Sequence, residues 1–318
     1  MYKKNAWESY EEEDLKKLEQ VADCYRSFLD AGKTERECVS VAVAMAEAAG
    51  FQDLDKLAVE GKKLSAGAKV YRNWMNKSFL AFVIGEEPLD AGMNILGAHI
   101  DSPRIDVKQN PLYETDGLCY LDTHYYGGIK KYQWVALPLA LHGVVVRADG
   151  SKLSVAIGEK PEDPVFYISD LLIHLASEQM GKKAGDVVPG EDLNLIIGHT
   201  PDKNAEKDKV KTRILAYLKE EYNMEEEDFV SAELEIVPAG ACREVGFDRA
   251  LIAGYGHDDR VCAYPSIQAV LDVNGTPKYT VCAAITDKEE IGSVGATGWG
   301  AHYFENTVAE LYALTHET

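Results

Sequence analysis

The stretch Met93–Ser102, MNILGAHIDS, is nearly all apolar until it delivers His99, Asp101 and Ser102 at its end. A near-continuous apolar run of this length reads as a strand buried on both faces, the kind that builds a largely parallel sheet covered by helices. In open α/β sheets, sites collect beyond the C-terminal ends of such strands. Tyr279–Thr286 repeats the pattern and ends in Asp287, Glu289 and Glu290. The fold expected from these two runs is α/β.

Around them, Leu15, Leu18, Val21, Ala22, Tyr25, Phe28 and Leu29 recur at helical spacing, with Gly32 as the stop. Thr34-Glu35-Arg36-Glu37 reads as a capping box that launches a second helix ending near Gly50. Lys69–Met75 and Ser78–Ile84 read as strands joined by Asn76-Lys77. The middle of the chain changes character. Leu137–Val146 and Lys152–Ile157 are strand-like around an Asp149-Gly150 turn, residues 200–209 read as a loop, and Lys207–Glu221 as a charged helix. Ala232–Val237 alternates like an edge or half-buried strand, and Glu305–Leu314 reads as a helix. The expected organisation is a mixed-sheet catalytic domain (1–104 and 246–318) interrupted by an inserted β-rich domain, 105–245.

Composition narrows the function. With 318 residues and 46% apolar content, the chain has material for two domains and a sizeable core. A formal charge of −20 argues against nucleic-acid or anionic-membrane partners. The opening MYKKNAWESYEEEDL lacks an apolar h-region, and no apolar run reaches the roughly 20 residues of a membrane span. A cytoplasmic protein is expected. The six cysteines form no C-x-x-C pair and are expected to be reduced and buried. There is no G-x-S-x-G elbow, P-loop, H-E-x-x-H or EF-hand loop, and Gly254-Tyr255-Gly256 lacks the third glycine of a dinucleotide site.

Three clusters carry chemistry. In His99-Ile100-Asp101 a carboxylate two residues on can fix an imidazole as a metal ligand, although an isolated H-x-D is more often a satisfied histidine near a turn. In His257-Asp258-Asp259-Arg260 a carboxylate can bridge two cations, or simply favour a helix N-terminus. In Asp287-Lys288-Glu289-Glu290 adjacent acids can divide metal binding from proton transfer, or lie solvated on the surface.

Taken in order, GAHIDSPR (Gly97–Arg104), NPLYE (Asn110–Glu114), HYYGGIKKYQW (His124–Trp134), GHDDR (Gly256–Arg260) and DKEEIGS (Asp287–Ser293) resemble the aspartyl aminopeptidase family, which includes vacuolar aminopeptidase I. The resemblance implies a metallo-aminopeptidase that removes the N-terminal residue of peptides with a water activated by two divalent metals. Zinc is the first choice, with cobalt or manganese admissible. It implies His99, Asp258 and Glu290 as metal ligands, Asp258 being the bridge, Glu289 as general base and Asp101 as the acid that orients His99. His174, on a stretch read as helical from Leu171 to Leu175, is the candidate for a histidine lent to a neighbouring subunit, and the inserted domain would dimerise. Lys130 and Lys131 read as solvated. Peptide substrates and a homo-oligomer follow as the expected partners.

The family pattern also calls for an aspartate and a histidine beyond the paired glutamates. After Glu290 this chain has acids at Glu305, Glu310 and Glu317 and histidines at His302 and His316, none in that context. The expectation is an incomplete ligand set, a chain truncated relative to the family, and little or no turnover. Two rival readings remain: a carboxypeptidase or deacylase on the same scaffold, and a non-catalytic assembly protein.

Overall fold

Thr34 accepts a hydrogen bond from the Glu37 N–H at 3.2 Å while the Glu37 carboxylate accepts from the Thr34 N–H at 2.9 Å. This reciprocal cap starts the second helix where the sequence placed it. The computed structural model describes residues 4–315. The chain opens with α1 (Glu12–Ala31), α2 (Glu35–Ala48), β1 (Gln52–Asp53), α3 (Leu54–Val59), β2 (Lys69–Trp74), β3 (Ser78–Val83) and β4 (Met93–His99). Its middle supplies β5 (Arg104–Thr115), β6 (Leu118–Tyr126), β7 (Leu139–Val146), β8 (Lys152–Ile157), α4 (Ser177–Met180), β9 (Leu195–Gly198), α5 (Lys209–Tyr222) and β10 (Ala232–Pro238). It closes with β11 (Arg243–Val245), β12 (Leu251–Ala253), α6 (His257–Leu271), β13 (Thr280–Thr286) and α7 (Tyr303–Thr315). The result is a mixed α/β architecture in two compact units, residues 1–100, 242–287 and 295–318 in one, residues 101–241 and 288–294 in the other.

In the first unit a five-stranded sheet runs in the order β1-β2-β3-β13-β4, with β13 antiparallel to β3 and parallel to β4. Period-2 alternation splits its side chains between two cores. Phe79, Ala81, Val83, Ala283 and Ile285 pack with Phe28, Leu29, Val39 and Ile267 from α1, α2 and α6. Leu80, Phe82, Cys282 and Ala284 pack with Leu54, Leu57, Tyr303 and Leu311 from α3 and α7. Two covered faces explain why SFLAFV is buried at every position.

β4 departs from its expected burial. It holds the edge of the sheet, pairing with β13 alone, and Ile95 and Leu96 are exposed. An apolar composition told of a covered strand, but these two side chains keep more than 40% of their surface exposed. The cysteines also divide: Cys38, Cys119 and Cys282 are buried as expected, whereas Cys24 and Cys262 are exposed, and all six are free.

The second unit is built on a six-stranded antiparallel sheet in the order β8-β7-β10-β5-β6-β9. β10 is central, contrary to its reading as an edge or half-buried strand, because it pairs with β7 on one side and β5 on the other. Its polar Glu235 is buried through an ion pair with Arg104 at 3.1 Å, which disguises a core strand as an amphipathic one. Phe166 bridges to Leu139 of β7 and Tyr167 to Ile196 of β9, tying the two strands together. The expected helical stretch from Leu171 to Leu175 is an exposed turn, and the helix begins only at Ser177. His316 and Glu317 lie outside the described residues; Glu310, on α7, is engaged by Arg72. No described helix is long and apolar enough to cross a membrane.

Candidate metal centre

β4 and β13 run parallel and in register, Ala98 beside Ile285 and His99 beside Thr286, and the Ile100 N–H continues the ladder to the Thr286 carbonyl at 2.8 Å. The H-x-D and D-K-E-E motifs, far apart in sequence, therefore leave the sheet from adjacent strand ends. α6 packs against both strands, and its first turn carries Asp258 and Asp259 in non-helical conformations joined by a cis peptide.

His99 Nε2 lies 3.4 Å from Asp258 Oδ1. One ligand atom from each of His99, Asp258 and Glu290 falls within 4.8 Å of the other two, the only such group of His, Cys, Asp and Glu among the described residues. His99 is buried while the Asp258 carboxylate is 76% exposed, so the pair offers one rigid and one accessible donor. An imidazole nitrogen with two carboxylate oxygens is a donor set that fits zinc, and equally cobalt or manganese.

Asp101 is fully buried and acts on the glutamate turn: its Oδ1 accepts the Glu289 N–H and its Oδ2 the Glu290 N–H, both at 3.3 Å. Tyr126 donates its hydroxyl to Oδ2 at 2.7 Å. Sequence reading missed Tyr126, although it stands inside the HYYGG motif. The next residue has its own reason to be glycine. Gly127 has φ +72°, and a Cβ there would sit 2.9 Å from Glu290 Oε2. Lys288 lies over the Tyr126 ring, its Nζ 5.6 Å from the centroid.

Two further residues were under-read. Arg260 is buried and donates to the carbonyls of Gly32 at 2.8 Å, Lys33 at 3.1 Å and Ile100 at 3.3 Å. The Tyr25 hydroxyl lies 2.9 Å from His257 Nδ1, and burial pushes its phenol up to about 12. Asp287 is buried and accepts from Thr297 Oγ1 at 2.6 Å, which leaves Glu289 and Glu290 as the accessible acids of that motif. His174 lies exposed on the turn before α4 and is not a member of the metal group. Lys130 is exposed, and Lys131 is half-buried with its Nζ 5.9 Å from the Tyr125 ring centroid.

An imidazole at the end of β4, a carboxylate in the first turn of α6 and another in the turn after β13 form the donor set of a metal centre on a mixed α/β fold. The chain belongs to the aminopeptidase I zinc metalloprotease (M18) family, whose model matches residues 28–318. It is 53% identical over 312 residues to a probable M18 family aminopeptidase 1 of Clostridium acetobutylicum, covering 98% of this chain and 67% of that protein. The crystal structure of aminopeptidase I from Clostridium acetobutylicum superposes with a TM-score of 0.89 at 50% identity, over 100% of this chain and 70% of the other. The M18 aminopeptidase structure from Thermotoga maritima gives 0.90 at 42% identity, over 98% of this chain and 67% of that one. The S. cerevisiae mApe1 dodecamer shares the fold at 19% identity, with a TM-score of 0.71 over 95% of this chain and 68% of its own.

Proposed function

We propose that this chain's metallo-aminopeptidase chemistry runs through His99, Asp258 and Glu290 as metal ligands, with Glu289 as the general base. The observation that supports this reading is the approach of those three ligand groups to within 4.8 Å. Divalent metals held there supply Lewis acidity toward a scissile carbonyl and its attacking water. The Glu289 carboxylate takes a proton from that water and passes it to the leaving amine. Asp101 acts as a positioning residue, holding the backbone of both glutamates while Tyr126 anchors its own carboxylate.

In this reading the protein is cytoplasmic, acts on peptides with a free N-terminus and works as a homo-oligomer. The unit built on β5–β10 would carry the subunit contact, and His174 would serve a neighbouring copy. Its exposed position among exposed Leu171, Leu172, Ile173 and Leu175 suits a buried place in an assembly.

A panel of aminoacyl, N-acyl and C-terminal substrates, run with added zinc, cobalt or manganese, tests the proposal. Turnover confined to free aminoacyl substrates, abolished in Glu289→Gln, is expected. Turnover of the blocked or C-terminal substrates alone would turn the assignment to a deacylase or carboxypeptidase. A homo-oligomer inert on every substrate with every metal would favour the assembly reading.

A further inference from the structure

A pocket of about 530 Å³, open at one end, lies in the unit built on β5–β10, between the sheet and α5. On β8, alternate residues Leu153, Val155 and Ile157 face it, while Lys152, Ser154 and Ala156 point away and are exposed or, for Ala156, surface-lying. α5 presents Ile214, Tyr217 and Leu218 at helical spacing. The helix is seated by close approach to β9, since a Cβ on Gly198 would fall 2.6 Å from Ile214 Cδ1.

The lining contains no Asp, Glu, Lys or Arg. Its polar groups are His199 and the phenols of Tyr167, Tyr217 and Tyr222, with Tyr167 and Tyr217 also among the exposed residues. His199 is partly committed, its Nδ1 donating to the Gly117 carbonyl at 2.8 Å. The buried end is formed by Leu121, Leu141, Leu234 and Phe229. Native cores keep few voids larger than a water molecule. Water needs two to four polar partners and does not stably fill an apolar space. The volume falls within the roughly 300–1,000 Å³ of small-molecule sites.

We infer that this cavity binds a neutral small amphiphile, its hydrocarbon body among Leu141, Val155 and Leu234 and a single hydroxyl-type head at the tyrosine-lined mouth. Charge decides against a carboxylate. The lining offers no cation to pair with it, burying an unpaired anion is costly, and the chain itself carries −20. Burial and the neighbouring Tyr217 push the Tyr222 phenol up to about 12, so the head meets neutral hydrogen-bonding groups.

The test is titration of the whole chain with Nile red, a neutral solvatochromic probe, with competition by 1-dodecanol and by dodecanoate at pH 8. Saturable binding of one probe per chain is expected, displaced by the alcohol at least roughly tenfold more effectively than by the carboxylate. Two cavity-filling variants, Val155→Trp and Leu153→Phe, should each weaken the probe by about tenfold or more while circular dichroism stays unchanged. The second is at a half-buried rather than a buried position of β8 and serves if the first does not fold. Absence of saturable binding, undiminished binding in a folded variant, or equal displacement by dodecanoate would overturn the inference. So would light scattering that shows the probe lost in step with self-association, because the occupant would then be a second copy of the chain.

Discussion

Arg260 donates its Nε to the carbonyl of Ile100, so the arginine two residues after Asp258 is fastened to the residue that follows His99. Its other donors hold Gly32 and Lys33 at the end of α1, and the whole side chain is buried. One guanidinium thus sets the spacing between two of the ligand-bearing motifs.

Replacing Arg260 with Met should leave three buried carbonyls short of a donor. The expected loss is about 2–4 kcal/mol in a urea unfolding titration. Zinc affinity should fall with it, because the His99 and Asp258 segments lose their common anchor. A variant with wild-type stability and wild-type zinc affinity would show that the contact is incidental.

Asp101→Asn keeps the shape but leaves one acceptor oxygen for three donors: the Glu289 and Glu290 N–H groups and the Tyr126 hydroxyl. Isothermal titration should report zinc affinity lowered by about 10- to 100-fold, the range for loss of a group that holds metal ligands in place. Tyr126→Phe, which removes one of the three donors, should cost less. The reverse order of the two variants would contradict the clamp.

Metal stoichiometry follows from the donor count. Among the described residues three ligand residues, with Asp258 shared as the proposed bridge, would give each of two ions only two protein donors, whereas catalytic zinc sites keep three. Elemental analysis after exhaustive dialysis should find fewer than two zinc ions per chain. Two retained ions would mean that ligands outside the described residues, or from another copy, complete the set.

Thiol reactivity should rank by exposure and charge. Cys24 and Cys262 are exposed, but the Asp259 carboxylate beside Cys262 raises its pKa and lowers its thiolate fraction at pH 8. Burial pushes Cys119 up to about 11 and, with Asp30 beside it, Cys242 up to about 12. Timed iodoacetamide labelling with peptide mapping should modify Cys24 first and Cys262 later. Cys119, Cys242 and the buried Cys38 and Cys282 should label last. Faster labelling of Cys262 than of Cys24 would contradict the Asp259 contact.

Local sequence carried the elements well where a short-range device creates them. The Thr34–Glu37 cap and the helical stripe of α1 are set by neighbours within a few positions, and both stand where they were expected. The residues named from H-x-D, H-D-D-R and D-K-E-E include the three whose ligand atoms gather, since each motif carries its own chemistry in one-letter code. Readings failed where partners are distant. β10 looked like an edge because Glu235 is polar, and its neutralising Arg104 stands on another strand. Leu171–Leu175 looked helical by composition, but the helix starts only after it.

The sequence by itself thus determined the family, the α/β class and the chemical types of the candidate site, because motif residues and helix caps act over a few bonds. Tertiary structure alone decided that β4 lies at a sheet edge, that Asp101 clamps the glutamate turn, and that Arg260 joins two motifs. Each of these depends on strand order or on hydrogen bonds between segments far apart in the chain. Such contacts leave no periodic trace in composition, and they exist only once β4 and β13 have paired side by side.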